Sequence, residues 1–218
     1  MGKEIMNPQG IYILLEGGEG CGKSTQAKIL VDNLISEGRD CIYLHEPGIT
    51  IEGNFIAEIL RNPKNSLDSV TELFLFEAAR RDAFRKVVAP ALEEGKIIIA
   101  DRSGISTLVY QGYAGDADLE LTERLKLIRN LNSIATLGIT PDLTLILDVP
   151  VEIGLARETD PSRFAAKGKE YHEKVNDAYR TIARQEGFPL LPYIENGIEE
   201  TQLRIRTHVD PILAARSK

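Results

Sequence analysis

Ile11-Tyr12-Ile13-Leu14-Leu15-Glu16-Gly17-Gly18-Glu19-Gly20-Cys21-Gly22-Lys23-Ser24-Thr25 is the stretch on which the reading of this chain turns. Its first half, Ile11–Glu16, is an almost unbroken apolar run, the pattern of a strand covered on both faces. Its second half fits G-x-x-x-x-G-K-[ST]. Glycines let the backbone curl so that successive N–H groups point inward at a phosphate. Lys23 supplies a mobile cation for β- and γ-phosphates, and the Ser24 hydroxyl can ligate Mg²⁺. Immediately after, Ala27, Leu30, Val31, Leu34 and Ile35 keep helical spacing until Gly38 stops the helix. That helix aims its N-terminal N–H groups and positive dipole end at the same anion. Gly17, Gly18, Glu19, Gly20, Cys21, Gly22, Lys23, Ser24 and Thr25 therefore form the expected nucleotide-phosphate site. A glycine turn at a strand–helix junction would be the plain alternative.

Outward from this loop the chain alternates. Cys41–His45, Ile97–Asp101, Leu143–Asp148 and Leu190–Ile194 read as further strands, the last placed at a sheet edge by Pro192. Leu67, Val70, Phe74, Phe84, Val88 and Leu92 predict a long helix capped by Ser66, with Pro90 near its end. Leu121, Leu125, Ile128 and Ala135 predict another, as do Ile205, Val209 and Ile212. Strand–helix–strand alternation predicts an α/β fold: three layers, with a five-stranded, mostly parallel sheet between helices. With 218 residues, no repeat and no linker, residues 1–218 read as one domain, its richest loop at Gly112–Asp118.

Composition narrows the classes. Lys+Arg 26 against Asp+Glu 33 gives a net charge of −7, which argues against nucleic acid as a partner. It leaves room for a small anion at one local positive site. No apolar run approaches the ~18 residues of a membrane span, and Met1–Gly10 lacks the apolar core of a secretory signal. The two cysteines, Cys21 and Cys41, make no disulfide framework, so a reducing cytoplasm is the expected location.

Several further motifs stand in order. His45-Glu46-Pro47-Gly48-Ile49-Thr50 is similar to R-E-P-G-G-T, and Phe76-Glu77-Ala78-Ala79-Arg80 to F-x-A-x-R. Asp101-Arg102-Ser103-Gly104-Ile105-Ser106, continuing to Tyr110-Gln111-Gly112, is similar to D-R-Y-x-x-S-x-x-A-Y-Q-G. Pro141–Thr144 and Leu147–Pro150, then Arg163-Phe164 and Tyr171–Val175, complete the set. From Ile11 to about Leu213 the chain thus resembles the thymidylate kinase family of P-loop proteins. Three positions depart from it: His45 replaces an Arg, Ile49 a Gly and Ser103 a Tyr, all near the acceptor side.

The resemblance implies a P-loop NTPase-type fold with a mobile lid, here about residues 157–169. It implies phosphoryl transfer from ATP to dTMP with Mg²⁺, and a homodimer. The acceptor oxygen of a monophosphate is already ionised near pH 7, so no general base is needed. Catalysis reduces to aligning two polyanions and spreading positive charge over the group in flight. Arg102 follows a buried strand and emerges at its carboxyl end, where open parallel sheets bind ligands. The resemblance assigns Arg102 to the phosphates, although an Arg paired with a nearby carboxylate is the plain reading. Asp101 would hold Mg²⁺ through water together with Ser24, anchor Arg102, or cap a helix. Phe76 would stack on the base and Arg80 hydrogen-bond it, the pair sharing a helix face at i and i+4. A core Phe beside a solvated Arg is the alternative there.

By the same resemblance Glu19 accepts from the 3′-hydroxyl and Tyr110 crowds the 2′ position. Ser106, Thr107 and Gln111 line the base pocket, while His45 and Pro47 stand at the acceptor phosphate. In the lid, Arg157 and Arg163 are the expected catalytic cations, closing on ATP, since the loop itself offers Gly20 and Cys21 where some members carry Arg. Other open readings are a kinase for another nucleoside monophosphate or a deoxynucleoside, with Glu46 as base in the latter case, and a degenerate nucleotide binder. A GTP-dependent switch would need an N-K-x-D-like segment, which no stretch after the later strands resembles.

Overall fold

The computed structural model describes residues 9–116, 119–157 and 163–216. At its centre lie β1 (Ile11–Gly17), β2 (Cys41–His45), β3 (Ile97–Asp101), β4 (Leu143–Asp148) and β5 (Leu190–Pro192). Their order across the sheet is β2-β3-β1-β4-β5, and every pairing is parallel. Parallel neighbours need a crossover, which places helices on both faces.

The all-buried pattern of β1 follows from that coverage. Ile11, Ile13 and Leu15 meet Ala27, Leu30 and Leu34 of α1 (Lys23–Ser36), and Ile205 and Val209 of the C-terminal helix, Ile198–Arg216. Tyr12 and Leu14 point the other way, against Phe84, Val88 and Leu92. Side chains alternate across a strand, so a run apolar at every position can only sit between two layers. Each such side chain contributes roughly 1.5–3 kcal/mol on burial. On the same second face Ile146 of β4 meets Val175, Tyr179 and Ile182 of the helix Lys169–Glu186.

Strand order reverses beside β1, with β3 on one flank and β4 on the other. The crevice at such a switch point, outside the carboxyl ends, is where doubly wound sheets take ligands. Gly17, Asp101 and Asp148 end the three strands that open onto it.

Several expectations need correction. Asp68, not Ser66, caps α3 (Ser69–Ala83): its Oδ1 accepts from Val70 N at 2.9 Å and Thr71 N at 3.0 Å. The long helix also does not run straight through, because a π-helical stretch, Phe84–Val88, separates α3 from α4 (Ala89–Glu93). A wider turn there accommodates Pro90, which cannot donate a backbone hydrogen bond. Phe74 and Ile35, expected on apolar faces, are exposed. The last strand ends at Pro192 instead of Ile194. Among the helices the sequence reading did not mark is α2 (Ile51–Arg61), which contains Gly53 and is capped by Thr50, whose Oγ1 accepts from Gly53 N at 3.0 Å. Among the described residues no helix is long and apolar enough to cross a membrane.

Candidate active site

The loop after β1 keeps the shape its glycines permit. Gly20 and Gly22 have φ of 63° and 91°, and Gly22 immediately precedes α1. Gly20 also packs backbone to backbone: a Cβ there would lie 2.0 Å from the Gly154 carbonyl oxygen. Reciprocally, a Cβ on Gly154 would lie 2.3 Å from the Glu19 carbonyl oxygen. Lys23 is folded inward, its Nζ donating to Gly18 O at 2.8 Å and lying 3.4 Å from Cys21 Sγ.

Asp101 closes β3 in the middle of this site, fully buried. Its Oδ2 accepts from Ser24 Oγ, accepts from Tyr43 Oη at 3.2 Å, and stands 3.1 Å from His45 Nδ1. Burial works against its charge, but His45, Lys23 and Arg102 outweigh it and hold the carboxyl well below the ordinary range. Its other oxygen, Oδ1, is buried without a hydrogen-bond partner.

Arg102 follows at φ 69°, in the left-handed region that an arginine seldom occupies. Strain of that kind persists where the surroundings over-determine it, and here they do. Nη1 donates to Gly17 O at 3.3 Å, Ser106 Oγ at 3.0 Å and Tyr179 Oη at 3.2 Å. Nη2 donates to Glu19 Oε1 at 3.1 Å and Tyr110 Oη at 3.3 Å. Beneath it, the buried Glu16 accepts from the backbone N–H groups of Ser103 (2.8 Å) and Ser106 (3.0 Å). Glu19 is the counter-charge: burial pushes its carboxyl up, yet Arg102 and Lys23 hold it down to about 2.

A second pocket opens beside this one. Arg80 is buried, its Nε donating to Glu46 Oε2 at 2.9 Å and its Nη1 to Glu77 Oε1 at 2.6 Å and Asn132 Oδ1 at 2.9 Å. Nη2 has no partner among the described residues. Gln111 Nε2 donates to Glu72 Oε2 at 2.8 Å. A carboxylate paired with a cation only accepts, so the amide nitrogen faces Glu72 and Gln111 Oε1 is left for the pocket. Phe76 lies across the mouth, 6.0 Å from the Phe164 ring centre.

These pieces line one cavity of about 870 Å³. It runs from Phe76, Arg80 and Gln111 past Arg102 and the loop to Arg157, Tyr193 and Ile198. The model of the thymidylate kinase family matches residues 15–205, most of the chain. The chain belongs to the thymidylate kinase family. A thymidylate kinase of Synechococcus sp. is 42% identical over 176 residues, covering 81% of this chain and 82% of the relative. One from Dehalococcoides mccartyi is 36% identical over 213 residues, covering 95% and 99%. The crystal structure of thymidylate kinase from Ehrlichia chaffeensis superposes with a TM-score of 0.72 at 29% identity, over 93% of this chain and 99% of that one.

Set against this thymidylate kinase architecture, the cavity wall brings together the catalytic, phosphate-loop, acceptor-side and metal candidates of the sequence except Gly17, Gly18 and Arg163. Gly17 and Gly18 stand behind the wall, offering their carbonyls to Arg102 and Lys23. Arg163 is engaged elsewhere, donating to Glu72 Oε1 at 2.7 Å and, through Nε, to Leu60 O at 3.3 Å. Arg157 reaches the cavity, its guanidinium 5.1 Å from the Tyr193 ring centre and 3.2 Å from that hydroxyl. Residues 158–162 of the expected lid lie outside the described residues, as do 117–118 of the preceding loop. Arg80 is buried on the cavity wall and not solvated, clamped through Nε and Nη1 between two carboxylates.

Sequence reasoning missed the bracing acids Glu16, Glu72 and Glu77, together with Asn132, Tyr179 and the wall from Tyr193 to Thr201. Glu46 was singled out as a base for a deoxynucleoside acceptor. It serves as the partner of Arg80 and of Ser103 Oγ, which donates to it at 3.0 Å. A segment with polar residues at Asn196 and Thr201 after an edge strand carries no periodic signal that would have marked it.

Proposed function

We propose that this chain transfers the γ-phosphoryl group of ATP to the 5′-phosphate of dTMP, giving ADP and dTDP. The observation that carries the reading is the single continuous cavity, with a phosphate loop at one end, a base-sized pocket at the other and Arg102 between them. A bisubstrate reaction needs that arrangement, and one bound nucleotide would not fill it.

The roles follow from chemistry. The acceptor oxygen is ionised near neutrality, so the site needs cations and backbone N–H groups in place of a base. Lys23 leaves Gly18 O for the ATP phosphates, and Arg102 bridges toward the acceptor. Both act where charge develops, in a site shielded from water. Arg157 and Tyr193 make the far wall, suited to the adenine face of ATP. Within the base pocket Arg80 Nη2 offers a donor and Gln111 Oε1 an acceptor. That pair matches the O4 and N3–H of thymine. Phe76 supplies a stacking face. Glu19 and Tyr110 are placed for the sugar, the first as acceptor and the second as a bulky limit at the 2′ position.

Mg²⁺ fits the residues present. Ser24 Oγ and the ionised Asp101, with its unpartnered Oδ1, provide the one or two protein oxygens such an ion uses beside substrate phosphates. Bound there, the ion would neutralise charge on the β- and γ-phosphate oxygens. The chain is read as one catalytic domain working in the cytoplasm. A homodimer is supported by Ile51, Phe55 and Ile59 along α2 and Phe74 on α3, all exposed.

A coupled assay with MgATP and a panel of acceptors tests the reading. dTMP is expected to exceed dUMP, dCMP, dGMP, AMP and thymidine in kcat/KM. Phosphorylation of thymidine without turnover of dTMP, or nucleotide binding without product, would overturn it.

A further inference from the structure

Four arginines stand on the cavity wall: Arg61, Arg80, Arg102 and Arg157. Their charges are not equally spent. Arg80 is matched by Glu46 and Glu77, and Arg102 by Glu19. Arg157 lies against Tyr193 at the far wall. Arg61, in the last turn of α2, has no carboxylate partner among the described residues. Its Nη2 is instead 3.4 Å from His45 Nε2 and donates to Pro47 O at 3.4 Å.

An unmatched guanidinium facing a cavity, in a chain of net charge −7, marks a place kept for an anion. The plain alternative is a cation stabilising the carbonyl end of its own helix. That end already has one: Arg163 donates through Nε to Leu60 O at 3.3 Å and through its backbone N to Arg61 O at 3.4 Å. Arg61 itself turns away from those carbonyls, toward the segment after β2.

His45 explains how it is aimed. The ring is held between Asp101, 3.1 Å from Nδ1, and Arg61 at Nε2. With Asp101 at one ring nitrogen and Arg61 at the other, the imidazole is fixed in orientation. It acts as a post against which Arg61 leans.

We propose that Arg61 supplies the cation for the acceptor 5′-phosphate, held toward it by His45 and Pro47, in place of a cation at position 45. This rests on the reading of the acceptor as a nucleoside monophosphate. Arg61 is exposed at the end of a helix, so its removal leaves the core intact.

The test compares wild type, Arg61→Ala, and the double variant Arg61→Ala/His45→Arg. Steady-state kinetics with MgATP and dTMP are paired with calorimetric binding of dTMP and of thymidine. For Arg61→Ala the dTMP KM and Kd are expected to rise about tenfold or more, the loss of one charge-assisted contact. The ATP KM should stay within about twofold and thymidine binding should be unchanged, because neither uses this contact. Moving the guanidinium to position 45 should recover much of the dTMP affinity. Unchanged dTMP affinity in Arg61→Ala, an equal loss for thymidine, or no recovery in the double variant would each overturn the proposal. Failure of the acceptor reading shows separately, as a wild-type enzyme that makes no dTDP.

Discussion

Arg102 Nη2 and Glu19 Oε1 lie 3.1 Å apart, tying the residue after β3 to the middle of the phosphate loop across the mouth of the cavity. The pair mates two charges at the edge of the loop. In the proposed reaction a phosphate beside Arg102 would meet a guanidinium already oriented by Tyr110, Ser106 and Tyr179, with little reorganisation left to do.

Replacing Arg102 by Lys keeps the charge and loses the planar fork that makes these contacts. The expected result is a fall in kcat of about 10²–10³-fold. Far-UV circular dichroism should be unchanged. A kcat within about threefold of wild type would remove Arg102 from the transition state.

Glu19 makes a pH prediction whose sign can be worked out. Its carboxyl is depressed from the ordinary 4.5 to about 2 in the folded chain. The stability it contributes is present above pH 4.5 and is withdrawn as pH falls through about 2. Across that window wild type should lose about 3 kcal/mol that Glu19→Gln does not lose. Parallel urea titrations of the two proteins at several pH values measure the difference, and parallel curves would refute the assignment.

Glu72 should set base selectivity without touching the base. It accepts from Gln111 Nε2 and from Arg163 Nη2, fixing which end of the amide faces the cavity. Glu72→Gln frees that amide to flip and present its donor. The ratio of kcat/KM for dTMP over dCMP is then expected to narrow about tenfold, mostly through the dTMP KM. A ratio that stays constant while stability alone falls would reduce Glu72 to a packing role.

Asp68→Ala removes three hydrogen bonds at the start of α3, two from backbone N–H groups and one from the Thr71 hydroxyl. The cost should be about 1 kcal/mol, seen as a fall of about 2–4 °C in Tm. Ser66→Ala, two residues earlier in the loop, should leave Tm alone.

The strands were legible because burial on both faces leaves an unbroken apolar run, as in Ile11–Leu15 and Ile97–Ala100. The loop was legible because its glycines and Lys23 act locally. What escaped the sequence acts over distance. Glu16 meets Tyr179, 163 residues away, and Arg80 meets Glu46, 34 residues away. No spacing rule reports such pairings. Helix α2 was left unread although Ile51, Phe55 and Ile59 recur at helical spacing, and with it went Arg61. Arg163 was legible as a cation, but its direction is set by Glu72 on another helix.

The two glycines that meet backbone to backbone, Gly20 in the loop and Gly154 in the short helix Val151–Arg157, leave no clearance at their joint. A methyl group on Gly20 would require Gly154 to retreat, and one on Gly154 would require Glu19 to do so. The same tight seat makes the loop and the stem that carries Arg157 one mechanical part.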